Sequence, residues 1–265
     1  MEERANRQFV ELEQTHFWLV SRRRIFMDLL DRELAVRTGL RVIDVGCGAG
    51  GMLGPLSRYG AVKGLDTSAE LVEFCRTRGF ADVAVASAYA LPVEAESADL
   101  ITLFDIIEHV PDDERVLREC RRVLSPGGLV FISVPAYQLL YANNDRVAHH
   151  QRRYTGRQLR RKLLATGFVP VRVTYFNTLL FPAILPTVLA KKVIERMSDP
   201  GDTTNLSHQL PPLLNRALTA IMSGERHLLS WVSFPFGHSI IAMARPRGAP
   251  PGLRAERRHR RSIAA

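Results

Sequence analysis

At 265 residues and 46% hydrophobic, the chain can bury a full core, and one large α/β domain with additions is expected rather than two domains. The net charge of +9 invites a nucleic-acid reading. However, Pro246 to Ala265 hold six arginines and one glutamate, so +5 belongs to the tail and +4 to the rest, which is unremarkable for a soluble domain. The three cysteines, Cys47, Cys75 and Cys120, are far apart, with neither metal spacing nor a disulfide framework. They point to a reducing, cytoplasmic setting. The opening Met-Glu-Glu-Arg has no apolar signal region, and no run reaches the ~20 apolar residues of a membrane span.

In chain order, residues 5–37 are expected to be helical, with apolar stripes at Phe9, Leu12, Phe17 and then Ile25, Phe26, Leu29, Leu30. Segment 1–38 is read as an N-terminal flap. His16 and Trp18 either touch a ligand or simply pack on the core. Next comes Arg41-Val42-Ile43-Asp44-Val45-Gly46-Cys47-Gly48-Ala49-Gly50-Gly51, a β-branched strand entering a glycine turn. Glycines here permit positive φ and close backbone approach to a ligand, and the following helix start offers unpaired N–H groups. The G-x-G-x-x-G spacing alone also fits a dinucleotide site. Asp44 argues otherwise: a carboxylate repels a pyrophosphate but welcomes an ammonium group.

A second strand ends at Asp66, where an acid suits ribose hydroxyls. Thr67-Ser68-Ala69-Glu70 then matches a helix capping box. Strands at 83–86 and 99–104 follow. The second of these runs into Asp105-Ile106-Ile107-Glu108-His109-Val110. A helix opened by Asp112-Asp113-Glu114 should stop at Ser125-Pro126-Gly127-Gly128 before strand 129–134. The alternation implies a parallel sheet with right-handed crossovers.

These landmarks together resemble the cofactor domain of class I S-adenosylmethionine-dependent methyltransferases. They are Asp44 to Gly50, Asp66, Leu91-Pro92 ahead of Phe104-Asp105 and Glu108-His109-Val110, and Arg122 to Gly128. The resemblance implies a Rossmann-like, doubly wound sheet of seven strands with the last antiparallel, over residues 39–245. It also implies S-adenosylmethionine as cofactor, with Asp44, Gly46 and Gly48 at its methionine part and Asp66 at the ribose. Ser87 and Ala88 would lie at the adenine, where the family often has an acid, and Cys47, Thr67, Phe104, Asp105 and His109 are counted as further cofactor contacts.

The acceptor question falls on residues 137–154 and 177–236. The first holds Tyr137, Asp145, His149, His150, Arg153 and Tyr154. His150 is the first candidate for a general base, with His109 its rival, because imidazole titrates near neutral pH. The bland alternative is that His149, His150 and Arg153 tie the loop to carboxylates. No metal is assigned, because Glu108-His109 lacks further ligand spacing. Thr155 and Gln158 form a second capping box before a helix, and 168–176 reads as the sixth strand. The long insertion 177–236 is apolar at 178–190 and interrupted by Pro182 and Pro186. It is expected to form a helical lid, with peripheral membrane contact through 178–192 as the alternative. The strand at 238–244 closes the domain, and 246–265 is read as a basic disordered tail, a solubilising extension unless it meets nucleic acid or anionic lipid.

The expected function is methyl transfer to a small-molecule or lipid-linked acceptor. A nicotinamide-dependent oxidoreductase must explain Asp44, and no Tyr-x-x-x-Lys pair is present. Methylation of nucleic acid is disfavoured: Phe104-Asp105-Ile106-Ile107 stands where an Asn/Asp-Pro-Pro-aromatic motif would be, and no cysteine follows a proline. A non-catalytic cofactor-binding protein remains a further alternative. Oligomeric state is left open.

Overall fold

A computed structural model describes residues 10, 12–35, 37–195 and 210–248. Phe9, the 196–209 segment and the tail from 249 on lie outside the described residues. Seven strands form one sheet: β1 (Leu40–Val45), β2 (Gly60–Asp66), β3 (Val83–Val85), β4 (Ala98–Phe104), β5 (Leu124–Pro135), β6 (Phe168–Phe176) and β7 (Ser239–Pro246). Their order is β3-β2-β1-β4-β5-β7-β6. β7 runs antiparallel between β5 and β6, while the other pairings are parallel. This is the expected doubly wound sheet.

Side chains alternate across a strand, so each strand supplies two cores. One parity sends Ile43, Val45, Ile101, Leu103, Val130 and Ile132 against helices α4 (Asp113–Val123) and α6 (Gly156–Ala165). The other sends Val42, Leu100, Leu129, Phe131, Ile241 and Met243 against α1 (Phe17–Leu34) and α8 (Pro212–Leu229). On this second face the parity row changes character near the carboxyl ends of the strands. Val42 is followed by Asp44, Leu100 by Thr102, and Phe131 by Ser133, all buried. The functional candidates sit at that change.

The remaining helices are short. They are α2 (Leu53–Ser57), α3 (Ala69–Thr77) capped by Ser68, and α5 (Asn143–Val147) inside the loop after β5. Two expectations are corrected, and a third segment is specified. The N-terminal helix is interrupted at His16, which has extended backbone and caps α1 through its side chain. Ser125 to Gly128 does not form a turn: β5 begins at Leu124 and passes through it, with a register shift against β4. The apolar segment with two prolines is one helix, α7 (Phe181–Ile194), with Pro182 in its first turn and Pro186 inside it. Pro182 is tolerated there because first-turn N–H groups have no intrahelical partner.

Candidate functional site

The glycine turn after β1 opens onto a cavity of about 230 Å³ lined by Asp44, Gly46, Cys47, Gly48, Phe104 and Asp105 from the predicted set. Asp44 is 2% exposed and accepts a 2.6 Å hydrogen bond from the Thr102 hydroxyl, its register partner on β4. Burial pushes its carboxyl up to about 7, against the downward pull of the Thr102 hydrogen bond; the charge of Asp66 adds to the rise and Arg22 opposes it. Gly46 has φ +74°, and a Cβ there would collide with the Ile106 side chain, so both geometry and space demand glycine.

Asp66 stands at the end of β2 and works on the turn. Its Oδ2 accepts from the Gly48 N–H at 2.8 Å and its Oδ1 from the Ser68 N–H at 2.9 Å. Each oxygen keeps a lone pair, so ribose hydroxyls remain within its capacity. Thr67 and Ser87 are exposed beside it, with Ala88 partly buried; the Ser87 hydroxyl accepts from the Tyr89 N–H at 3.2 Å.

Sequence reasoning reads 1–38 as a flap but does not single out the residues that cover this cavity. Glu13, Leu19, Arg22, Arg23 and Met52 also line it. Glu13 presses against Gly51, where any Cβ would strike its carboxylate, and it faces Arg78 at 3.7 Å. Arg22 pairs with Asp105 at 2.5 Å, and the Ser133 hydroxyl donates to the other Asp105 oxygen at 2.8 Å. Asp105 itself adopts φ +58°. The run Arg22-Arg23-Arg24 was visible, but nothing in its spacing marks which arginine turns inward.

A second cluster lies beside Asp105. Asp145 is fully buried and accepts from Arg153 Nε at 2.8 Å and Nη2 at 2.9 Å. Its Oδ1 also meets His150 Nδ1 at 2.8 Å. Burial alone would raise Asp145, but the hydrogen bonds from His150 and Arg153 outweigh it and hold the carboxyl at about 2. His109 meets His150 edge to face, with ring centroids 4.6 Å apart. Burial and the neighbouring His150 lower the pKa of His109. Glu108 is wholly buried and has no hydrogen-bond partner for either carboxylate oxygen. Burial, with Asp105 adding to it, pushes its carboxyl well above the ordinary range.

Other predicted contacts are placed differently. His16 is buried, its Nδ1 accepting from the Trp18 N–H at 3.3 Å. Trp18 stacks on Phe176 at 5.9 Å and meets His238 edge-on at 5.8 Å, so both residues serve core packing. Tyr154 is 1% exposed, with its hydroxyl 2.7 Å from the Asp113 carboxylate and 3.0 Å from the Ile107 carbonyl, which commits it to the core. Tyr137 stacks on Tyr175 at 5.4 Å and lies 5.8 Å from the Phe181 ring. His149 is exposed at φ +56°. His238 was not predicted as a site residue; burial, then the charge of Arg153, lowers it to about 4.

Residues 43–132 match the family described as "Methyltransferase domain". A ubiquinone biosynthesis O-methyltransferase from Xanthomonas oryzae pv. oryzae (strain PXO99A) is 40% identical over 102 residues, covering 36% of this chain and 43% of that protein. An uncharacterized 37.1 kDa protein in transposon TN4556 of Streptomyces fradiae is 33% identical over 164 residues, 54% of this chain and 46% of its own length. The chain thus spans less than half the length of these curated relatives. Among solved structures, a S-adenosylmethionine-dependent methyltransferase from Thermotoga maritima superposes with TM-score 0.55 at 20% identity, covering 93% of this chain and all of the other. Phosphoethanolamine N-methyltransferase 2 of Haemonchus contortus, in complex with S-adenosyl-L-methionine, gives TM-score 0.54 at 21% identity over 83% of this chain and 52% of its own. Residues 43–132 thus match a methyltransferase domain, carried on a seven-stranded sheet whose fold is shared with S-adenosylmethionine-dependent methyltransferases.

Proposed function

We propose that the chain transfers a methyl group from S-adenosylmethionine to a hydroxyl-bearing small-molecule or lipid-linked acceptor. The observation that carries this reading is Asp44: a buried carboxylate, without a basic side chain bonded to it, at the wall of a cavity that a glycine turn keeps open. A pyrophosphate would be repelled there, whereas the cofactor's ammonium group supplies the missing positive charge. The donor end therefore fits the residues present. Asp66, Ser87 and Ala88 extend from the same edge toward where ribose and adenine would run.

When bound, the cofactor supplies a sulfonium methyl that is already activated, so the protein's work is position and water exclusion, worth up to ~7–11 kcal/mol in a near-attack geometry. Asp44 and the 46–48 backbone would hold the donor. Arg22 and Asp105, braced by Ser133, line the same cavity. Asp145 fixes the His150 ring through Nδ1, leaving Nε2 to take the acceptor's proton as the oxygen attacks. Hydroxyl acceptors are favoured over amines because such a base is provided, and because an O-methyltransferase relative is 40% identical over 102 residues.

The insertion supports a lid over this face. Its α7 is tied to the loop after β5: Lys192 donates to the Leu139 carbonyl at 2.7 Å, and Glu195 accepts from the Asn143 N–H at 3.1 Å. α7 buries none of its residues, exposes Leu189, Val193 and Ile194, and carries only Lys191 and Lys192 as charges. That surface suits a lipid-linked acceptor or a membrane margin, although no described helix is long and apolar enough to cross a membrane.

Calorimetric titration with S-adenosylmethionine and with NADH tests the reading at its root. Saturable binding of the first and none of the second is expected; the reverse overturns it.

A further inference from the structure

Glu108, His109 and His150 each present a ligand atom, and the three atoms lie within 4.8 Å of one another. Their assembly depends on the backbone. The Gln151 N–H donates to the Glu108 carbonyl at 2.8 Å, and Gln151 Nε2 donates to the His109 carbonyl at 2.9 Å. The loop after β5 is thereby fastened onto the turn after β4, bringing His150 against His109 across a separation that no sequence spacing reveals.

The environment of each member is that of a ligand. His150 Nδ1 is bonded to the Asp145 carboxylate, which leaves Nε2 for another partner. His109 packs edge to face on the His150 ring, with centroids 4.6 Å apart. Ligating imidazoles ordinarily donate their second ring N–H to a carboxylate or a backbone carbonyl, which fixes tautomer and orientation. Glu108 is 0% exposed, and neither carboxylate oxygen has a partner. A buried carboxylate left this way is costly unless a cation or a donor meets it. The carboxylates of Asp105 and Asp145 add to the demand, and the Arg22 guanidinium offsets part of it.

We propose that Glu108, His109 and His150 form a binding site for one divalent first-row transition-metal ion of the zinc, cobalt, iron or manganese type. Two imidazoles and one carboxylate suit these ions better than magnesium or calcium, and three protein ligands leave positions open for solvent or an acceptor oxygen. Asp105, three residues before Glu108, lines the donor cavity, so the site adjoins it. The role at the site rests on the functional reading above. An acceptor hydroxyl bound to the ion loses its proton to water more readily; its oxygen then forms the new bond to the methyl carbon as the carbon–sulfur bond breaks, leaving a neutral thioether. With the ion bound, His150 Nε2 is a ligand and solvent takes the proton; without it, His150 Nε2 is the base described above.

The test uses the untagged full chain, stripped with a chelator and titrated with cobalt(II) alone, followed by visible absorption and by thermal unfolding. One saturable equivalent with ligand-field bands and a raised Tm is expected. Both should be lost in Glu108→Gln and in His150→Ala and kept in His149→Ala, and affinity should fall about 10–100-fold in Asp145→Asn, which removes only the outer support. No saturable band or Tm shift in the wild type overturns the proposal, even if a variant fails to fold. So do bands that persist unchanged in folded Glu108→Gln. Parallel calorimetry with S-adenosylmethionine separates the two readings: retained cofactor binding with no cobalt site removes only the metal, whereas lost cofactor binding removes the functional assignment.

Discussion

The proposed donor side and the proposed acceptor side of this domain are built in opposite ways. The donor side is local: Asp44, Gly46, Cys47 and Gly48 occupy one turn, and Asp66 steadies that turn by accepting from the Gly48 N–H. The acceptor side is a meeting of distant segments. Arg22 reaches Asp105, Asp145 clamps Arg153 and His150, and His150 comes to rest on His109. A turn can be specified by neighbouring residues. A meeting point is specified only by whatever fastens the segments together.

The largest effect should therefore come from cutting a fastening. Asp145→Ala leaves the Arg153 guanidinium buried without its carboxylate, and loss of one partner of a buried pair costs about 3–5 kcal/mol. Chemical denaturation should show this drop. Calorimetry at a temperature where the variant stays folded should show S-adenosylmethionine affinity within a few-fold of wild type. A large loss of cofactor affinity would mean that the two sides are not separable.

The converse change is Asp44→Ala, which should weaken cofactor binding by about 1–3 kcal/mol, as for a lost charge-assisted hydrogen bond. Asp44→Asn adds a sharper contrast. The folded protein holds this carboxyl up at about 7, so its ionisation opposes folding as pH rises from the unfolded value toward 7. Replacing it should stabilise the cofactor-free protein at pH 8 by about 0.5–2 kcal/mol while weakening the complex. A thermal melt with and without cofactor reads both signs at once.

The same carboxyl predicts a pH profile. Below about 7 the free protein carries a proton on Asp44 that must leave before an ammonium group can pair with it. Cofactor affinity should level off above pH 7 and fall as pH drops through it, approaching about tenfold per unit. A flat profile from pH 5.5 to 8 would remove Asp44 from the ammonium site.

Smallest in energy is His150→Ala, which should slow turnover on an accepted substrate and leave S-adenosylmethionine affinity unchanged. Equal turnover to wild type across pH 6–9 would reduce the dyad with Asp145 to a loop fastening.

Much of this architecture was legible before any coordinates. Gly46 and Gly48 need positive φ, Ser68 and Thr155 cap helices, and strand parity sorts Val42 from Ile43; each is decided by residues close in sequence. Local chemistry also marked Asp44, because a carboxylate ending an apolar strand is conspicuous. Misread features had long-range causes. Ser125 to Gly128 looks like a turn but is held extended as part of β5, which pairs with β4. Tyr154 looks like a binding residue until Asp113 and Ile107 claim its hydroxyl from more than forty positions away.

What the sequence by itself determined is the glycine turn of the proposed donor end, because that turn and its two carboxylates need only their own strands to be in place. What only the tertiary structure decided is the cluster of the proposed acceptor end. Which arginine of three turns inward, that Glu108 is buried without a partner, and that His109 and His150 meet all depend on packing across the sheet. Burial and encounter are properties of the folded whole, and no spacing along the chain encodes them separately.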